Sequence, residues 1–268
     1  MSKRVTTVLI LLLVGLPALV MGGFLYFLFI GFLLVVAAWE YVDMAEAIGS
    51  KPARWLVVGG VAAFCAAVFF YNSWSAPVFA FIILAMMAYH LVAFERGAEH
   101  ASLDFSASVG ALVYIGWIGS YLLSLRQLPN GSWWFMFVLP CVWLTDTGAF
   151  MIGAAYGKHR MTPRLSPKKT WEGYAAGVFS ATLGGGFFAF AYSTWGPLHL
   201  SVWVGALFGL MVGLLTPLGD LGESMLKRQA SMKDSGIIFP GHGGAFDRID
   251  SWLWGGVLGY YFITLIIR

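Results

Sequence analysis

Apolar runs of 16 to 20 residues follow one another along the chain, separated by short polar segments. Runs near that length suit helices that cross about 30 Å of hydrocarbon. Nine spans are predicted: Val5–Gly22, Gly23–Ala38, Leu56–Tyr71, Pro77–Phe94, Ser106–Leu125, Trp133–Ile152, Gly173–Tyr192, Leu200–Pro217 and Trp252–Ile267. Residues 5–38 form one uninterrupted apolar stretch in which Gly22-Gly23 offers the turn. The competing reading of that stretch is a single long tilted helix with an interfacial piece. A cleaved leader does not fit, because the stretch is too long and the later sequence keeps returning to apolar runs.

Composition agrees with the pattern. Hydrophobic residues make up 59% of the chain and charged residues 11%, and mean hydropathy is +0.79, values that exclude an ordinary soluble domain. The 16 Lys and Arg residues are distributed unevenly. With nine spans and a cytoplasmic N-terminus, fourteen fall in inside segments, and only Arg126 and Arg268 fall outside. Cytoplasmic loops are enriched in Lys and Arg, so the count supports nine spans and an external C-terminus. The net charge of +3 is therefore an orientation signal, and no basic–aromatic interleaving points to nucleic acid. The expectation is an all-α integral protein of the inner membrane with its polar site on the cytoplasmic side. It forms one domain over residues 1–268, with N-terminal spans in 1–132 and the half that carries the polar site in 133–268.

Smaller features fit this frame. Cys65 and Cys141 fall inside spans and read as packing residues. His90 reads as a hydrogen-bonded packing residue, and His90, His100, His159 and His199 lack partners at ligand spacing. Gly205, Gly209 and Gly213 recur every fourth residue, as do Gly173 with Gly177 and Gly255 with Gly259. Small residues so spaced let helices approach closely in lipid, either within the chain or across a homodimer.

The charges that remain crowd together. Asp220, Glu223, Lys227, Arg228, Lys233, Asp234, His242, Asp247, Arg248 and Asp250 share one segment flanked by apolar spans. Charges at a membrane are costly unless they meet water, ions or a polar substrate. Residues 220, 223, 224 and 227 stand at i, i+3, i+4 and i+7, on one helical face. A carboxylate, a hydroxyl and an ammonium on one stripe suit a metal-bound polyphosphate; the competing reading is a solvated interfacial face.

Between Pro240 and Gly244, one proline and three glycines forbid a helix and let backbone N–H groups approach a ligand. Asp247 and Asp250 follow as hard oxygen donors suited to Mg²⁺, and Arg248 can fork onto phosphate. Upstream, Asp146 lies within an apolar run. The Ser166-Pro-Lys168-Lys169-Thr170 loop precedes a helix that Thr170 can cap and whose N-terminus attracts phosphate. Its basic residues also fit plain orientation charges. There is no GxxxxGK[ST] loop, nucleophile elbow or HExxH.

These residues resemble the phosphatidate cytidylyltransferase family, also called CDP-diacylglycerol synthases. The likeness is carried by Ser224, Lys227-Arg228, Lys233-Asp234, Pro240, His242-Gly243-Gly244, Asp247-Arg248 and Asp250, with Ser166–Gly173 and Asp146-Thr-Gly upstream. Ala245 departs from the pattern, which has a larger aliphatic residue there. The resemblance implies transfer of CMP from CTP to phosphatidate in the membrane, with release of pyrophosphate. It implies Mg²⁺ on Asp220 and Asp247, with Asp250 and Asp146 as further ligands and room for a second cation. Lys227, Arg228, Lys233 and Arg248 would neutralise phosphates, and Asp220, Lys227, Asp247 and Arg248 carry the catalytic duty. Ser166, Lys168, Lys169, Thr170, Ser224, His242, Gly243 and Gly244 would bind substrate. The alternatives are a CTP-dependent lipid kinase and, in a different class, a non-catalytic lipid-phosphate binding or transport protein.

Overall fold

The computed structural model describes residues 13–239, 241 and 243–267. The start of the first predicted span, together with Pro240, His242 and Arg268, lies outside the described residues. The chain is helical almost throughout. Residues 13–21 are helical, and the helix breaks at Gly22 and Gly23, whose φ angles are 66° and 56°. Only glycine occupies that region cheaply, so Gly22-Gly23 is a turn between two helical pieces. The helices that follow are α1 (Gly23–Ala47), α2 (Arg54–Phe70), α3 (Ser75–Glu95), α4 (Ala101–Ala111), α5 (Gly119–Gln127), α6 (Gly131–Tyr156), α7 (Trp171–Trp195), α8 (Val202–Leu215), α9 (Pro217–Gln229) and α10 (Phe246–Phe262).

A π-helical stretch, Leu112–Ile118, joins α4 to α5. Among the described residues, six helices are long and apolar enough to cross a membrane: Gly23–Ala47, Asn72–Glu95, Ala101–Gln127, Gly131–Tyr156, Trp171–Trp195 and Val202–Gln229; the shorter Arg54–Phe70 is also apolar. Each span predicted over described residues falls on a helix. Large apolar side chains such as Phe81, Phe150 and Trp203 stand exposed on them, as lipid-facing positions do. The protein is a helical membrane protein.

The chain forms two compact units. One holds the described residues up to Ser124 together with Leu226–Ile249; the other holds Leu125–Met225 and the residues from Asp250 onward. Residues 226–249 thus pack with the N-terminal helices, which the division at residue 132 did not anticipate.

In the first unit Tyr26, Ile30, Leu34, Val57, Val61, Leu112 and Ile115 form a buried core. The Tyr26 hydroxyl donates to the Leu122 carbonyl at 2.9 Å. Ser108 satisfies the polar groups of the α2–α4 contact. It accepts from the Ala53 N–H at 2.9 Å, donates to the Asp104 carbonyl at 2.8 Å and lies 3.0 Å from Nε2 of His90. His90 is the hydrogen-bonded packing residue expected. Cys65 and Cys141 are buried.

In the second unit α6, α7 and α8 approach until backbones touch. A side chain at Gly185 would strike the Gly205 carbonyl, and one at Gly209 the Ala181 carbonyl. Gly213 faces Val178, Gly177 faces the Thr145 carbonyl, and Gly255 and Gly259 face Val142 and Val138. The small-residue stripes are therefore spent on packing within the chain. Phe208 fits between Phe137 and Phe262, with ring centroids 4.9 and 5.0 Å away.

Between α6 and α7 the chain makes an antiparallel hairpin, β1 (Arg160–Thr162) with β2 (Ser166–Thr170), pairing Arg160 with Thr170 and Thr162 with Ser166. The proline and lysines of Ser166–Thr170 suggest a loop, and the segment is instead an extended, paired strand. In a two-stranded sheet both strands are edges, where proline is tolerated.

Candidate active site

Asp220 lies in the first turn of α9, where a carboxylate favours the helix dipole. Glu223 is one turn on, on the same face, and is almost fully buried at 1% exposure. A side chain at Gly219 would collide with the Asp250 carbonyl and the Trp254 ring. Glycine there lets the start of α9 close against α10. One oxygen from each of Asp220, Glu223 and Asp250 consequently falls within 4.8 Å of the other two. Carboxylates that close repel one another strongly, most of all away from water. The donor set is all hard oxygen, the chemistry that suits Mg²⁺ or Ca²⁺ rather than a soft metal. The cluster could hold such an ion.

Cationic and hydroxylic groups also reach Asp220. The Lys169 ammonium lies 2.8 Å from Asp220 Oδ2, and the Ser224 hydroxyl donates to Oδ1 at 3.2 Å. Asp220, Asp146, Arg160, Lys168, Lys169 and Thr170 line a common cavity of about 450 Å³. The cavity is bounded by the N-terminus of α7, capped as predicted. The Thr170 hydroxyl accepts from the Gly173 N–H at 3.2 Å. Side chains at Gly153 or Gly157 would press on the Thr170 hydroxyl, so these glycines set the floor of the pocket. Glu172 fixes the hairpin. It accepts from the backbone N–H groups of Lys158 and His159 at 3.2 Å, and its Oε1 lies 2.5 Å from the His159 ring.

A second polar network lies in the other unit, around Asp247. Lys227 is 9% exposed, and its ammonium donates to Asp247 Oδ1 at 2.6 Å. Oδ2 accepts from the Ser235 N–H at 2.8 Å, the Ser235 hydroxyl at 2.9 Å and the Gly244 N–H at 2.9 Å. Burial pushes the Asp247 carboxyl up, but Lys227 and the Gly244 and Ser235 N–H groups outweigh it and hold the group below the usual aspartate value. Gly243 has a φ of 81° and lies against Oδ2, so a side chain there would be strained and would collide with Asp247.

The predicted residues therefore separate. Asp220 and Asp250 meet in the acidic cluster, whereas Asp247 and Asp146 lie outside it among the described residues. Asp146 lines the cavity with Lys168, Lys169 and Thr170, and Ser166 opens β2. Gly244 binds Asp247 through its N–H. Arg228, Lys233 and Arg248 are exposed, and His242 lies outside the described residues. Ala245, the departure from the family pattern, is fully buried.

Three residues went unassigned in the sequence. Glu223 was placed on the Asp220 face but given no ligand role. Glu40 was put just outside the second span, yet α1 continues through it to Ala47. A carboxylate inside a membrane-length helix is itself the signal that could have marked it. Ser235 carried no signal.

The chain is similar in sequence to known proteins. The profile of the cytidylyltransferase family matches residues 2–266. A phosphatidate cytidylyltransferase of Synechocystis sp. is 32% identical over 295 residues, which cover 99% of this chain and 97% of that protein. Another from Staphylococcus epidermidis is 30% identical over 259 residues, 94% and 95% of the two chains. A third, from Mycobacterium bovis, is 37% identical over 163 residues, 61% of this chain and 52% of that one. With its profile matched almost end to end and relatives of this likeness over nearly the full length, the chain belongs to the cytidylyltransferase family.

Proposed function

We infer that this protein transfers CMP from CTP to phosphatidate, giving CDP-diacylglycerol and pyrophosphate for phospholipid synthesis. A phosphatidate oxygen attacks the α-phosphorus of CTP, and the bond from that phosphorus to the bridging oxygen breaks, so pyrophosphate leaves. A phosphate monoester has a second pKa near 6 and is largely dianionic at neutral pH, so no strong general base is required. The obstacle is electrostatic, because one anion must approach another. Cations fixed in advance are the remedy.

The observation that carries this reading is the acidic trio Asp220, Glu223 and Asp250 beside a cavity lined by Lys168, Lys169 and Arg160. Asp220, Glu223 and Asp250 would hold Mg²⁺; the resemblance also implies a ligand role for Asp247 and, as a further ligand, for Asp146. A bound Mg²⁺ supplies charge neutralisation to the triphosphate and its leaving pyrophosphate. Lys168 and Lys169 draw phosphate oxygens to the N-terminus of α7, with Ser166, Thr170 and Ser224 supplying hydroxyl contacts. Lys227, Arg228, Lys233 and Arg248 offset charge on the phosphates, and the glycines of the His242-Gly243-Gly244 turn leave backbone N–H groups open to a ligand.

The basic-residue distribution favours nine spans in the inner membrane, an N-terminus in the cytoplasm, an external C-terminus and a polar face turned to cytoplasmic CTP. The family match over residues 2–266 favours one catalytic membrane domain. Self-association would use surfaces other than the glycine faces, which pack within the chain. Purified protein given labelled CTP, phosphatidate and Mg²⁺ tests the reading. CDP-lipid with pyrophosphate supports it; phospholipid with CDP means a lipid kinase, and no product means a binding or transport role.

A further inference from the structure

Glu40 is 5% exposed and is the one charged residue among the buried positions of α1. A carboxylate in that setting is costly unless donors surround it. Three do, all from the segment that leads into α10. Oε1 accepts from the Ala245 N–H at 2.9 Å, and Oε2 accepts from the Phe246 N–H at 2.9 Å and the Ser235 hydroxyl at 2.8 Å. The two amides belong to the start of a helix, where N–H groups have no intrahelical acceptor and the dipole favours negative charge. Glu40 caps α10 from about two hundred residues away in sequence.

The Ser235 hydroxyl has one proton and lies against two carboxylates, 2.8 Å from Glu40 Oε2 and 2.9 Å from Asp247 Oδ2. It also accepts from the Asp247 N–H at 3.3 Å. Glycines accommodate the arrangement. A side chain at Gly236 would overlap Glu40, and one at Gly244 would overlap both Glu40 oxygens and the Ser235 hydroxyl. The turn before α10 is thus shaped around a residue of α1.

We propose that Glu40 is a positioning residue: through Ser235 and the first amides of α10 it fixes the Asp247 carboxylate against Lys227. The proposal rests on the reading that Asp247 and Lys227 serve nucleotidyl transfer. Its geometric half can be read without turnover.

The test uses the full-length protein in detergent, with Glu40→Gln, Ser235→Ala and the double variant. Glutamine keeps the shape, but its amide NH₂ faces a donor where an acceptor is needed. The first readout is acetylation of Lys227 by acetic anhydride, followed by mass spectrometry. Loosening Asp247 should speed it several-fold in Glu40→Gln, while labelling of the exposed Lys158 stays constant.

The second readout is turnover per folded molecule. We expect kcat to fall about tenfold or more, the scale of losing a charge-assisted hydrogen bond, with the KM for CTP within about twofold. Because Glu40 acts partly through Ser235, the double variant should be slowed by clearly less than the product of the two single effects. A merely structural role would lower the melting temperature and leave Lys227 labelling and kcat per folded molecule unchanged; that result overturns the proposal. Effects that multiply in the double variant overturn it too. If Glu40→Gln does not fold, Ser235→Ala decides alone on the same two readouts. Wild-type protein that makes no CDP-lipid defeats the functional reading instead, and the Lys227 labelling still judges the positioning.

Discussion

The Lys169 ammonium sits 2.8 Å from Asp220 Oδ2, joining the strand before α7 to the first turn of α9. Each group neutralises the other, and each is also suited to a different part of a metal-bound triphosphate. The lysine belongs with phosphate and the carboxylate with the cation. This single contact ties the Ser166–Thr170 segment to the acidic cluster.

Replacing Asp220 by Asn keeps the shape and removes the charge that would hold a divalent ion. Turnover should fall below about a tenth of wild type, a barrier increase above roughly 1.4 kcal/mol. Glu223→Gln should do the same, although sequence reasoning gave Glu223 no ligand role. Thermal melting with and without Mg²⁺ supplies an activity-free measure. Mg²⁺ should stabilise the wild type and have little effect on either variant. Retained turnover together with retained Mg²⁺ stabilisation would remove both residues from the ligand set.

Helix packing in the second unit gives a stability prediction. Gly209→Ala drives a methyl group into the Ala181 carbonyl of the neighbouring helix, and overpacking of this kind costs roughly 1–3 kcal/mol. Gly59→Ala, by contrast, meets no atom within 4 Å and relieves a helix-interior glycine, so it should be neutral or slightly stabilising. Melting of the two variants in the same detergent checks the pair. Equal stability would mean that α7 and α8 are not in backbone contact.

Much of this was legible in the sequence because membrane helices advertise themselves by length and apolarity. The Gly22-Gly23 turn, the Thr170 cap and the glycine stripes follow from local rules and appear as expected. Asp220 and Asp250 were legible because charge is rare enough here to stand out. What escaped was tertiary. Glu40 lies about two hundred residues from its partners, and nothing local says that an α1 carboxylate completes the start of α10. That Asp247 is held by Lys227, Ser235 and Gly244 was hidden for the same reason. Asp247 and Asp250 stand three apart on one helix, so spacing alone treats them as equivalent neighbours. The Ser166–Thr170 strand was missed because a proline and two lysines read as loop chemistry.

Topology gives a prediction that needs no purified protein. A reporter active only in the cytoplasm, fused after Arg268, should be silent, and the same reporter placed before Ser2 should be active. The fourteen-to-two distribution of basic residues motivates both. Strong activity at the C-terminal fusion would mean an even number of spans and would invert the later loops.

The Ser166–Thr170 strand separates phosphate binding from membrane orientation. Orientation counts charge alone, so exchanging Lys168 and Lys169 together for Arg should be silent if they serve only that purpose. The contacts argue otherwise. Lys169 is held on Asp220, and both lysines line the cavity beside the capped start of α7. A compact ammonium fits between a carboxylate and a phosphate in a way that a broad planar guanidinium does not. The double variant should insert and fold normally yet lose about tenfold or more in turnover, a barrier increase of at least roughly 1.4 kcal/mol. Kinetics at saturating and limiting CTP assign the loss. A raised KM means that the lysines bind the nucleotide in the ground state, and a lowered kcat at unchanged KM means that they act on charge developing during transfer. Unchanged kcat and KM would reduce Lys168 and Lys169 to orientation charges and leave phosphate binding to the cationic residues between Lys227 and Arg248.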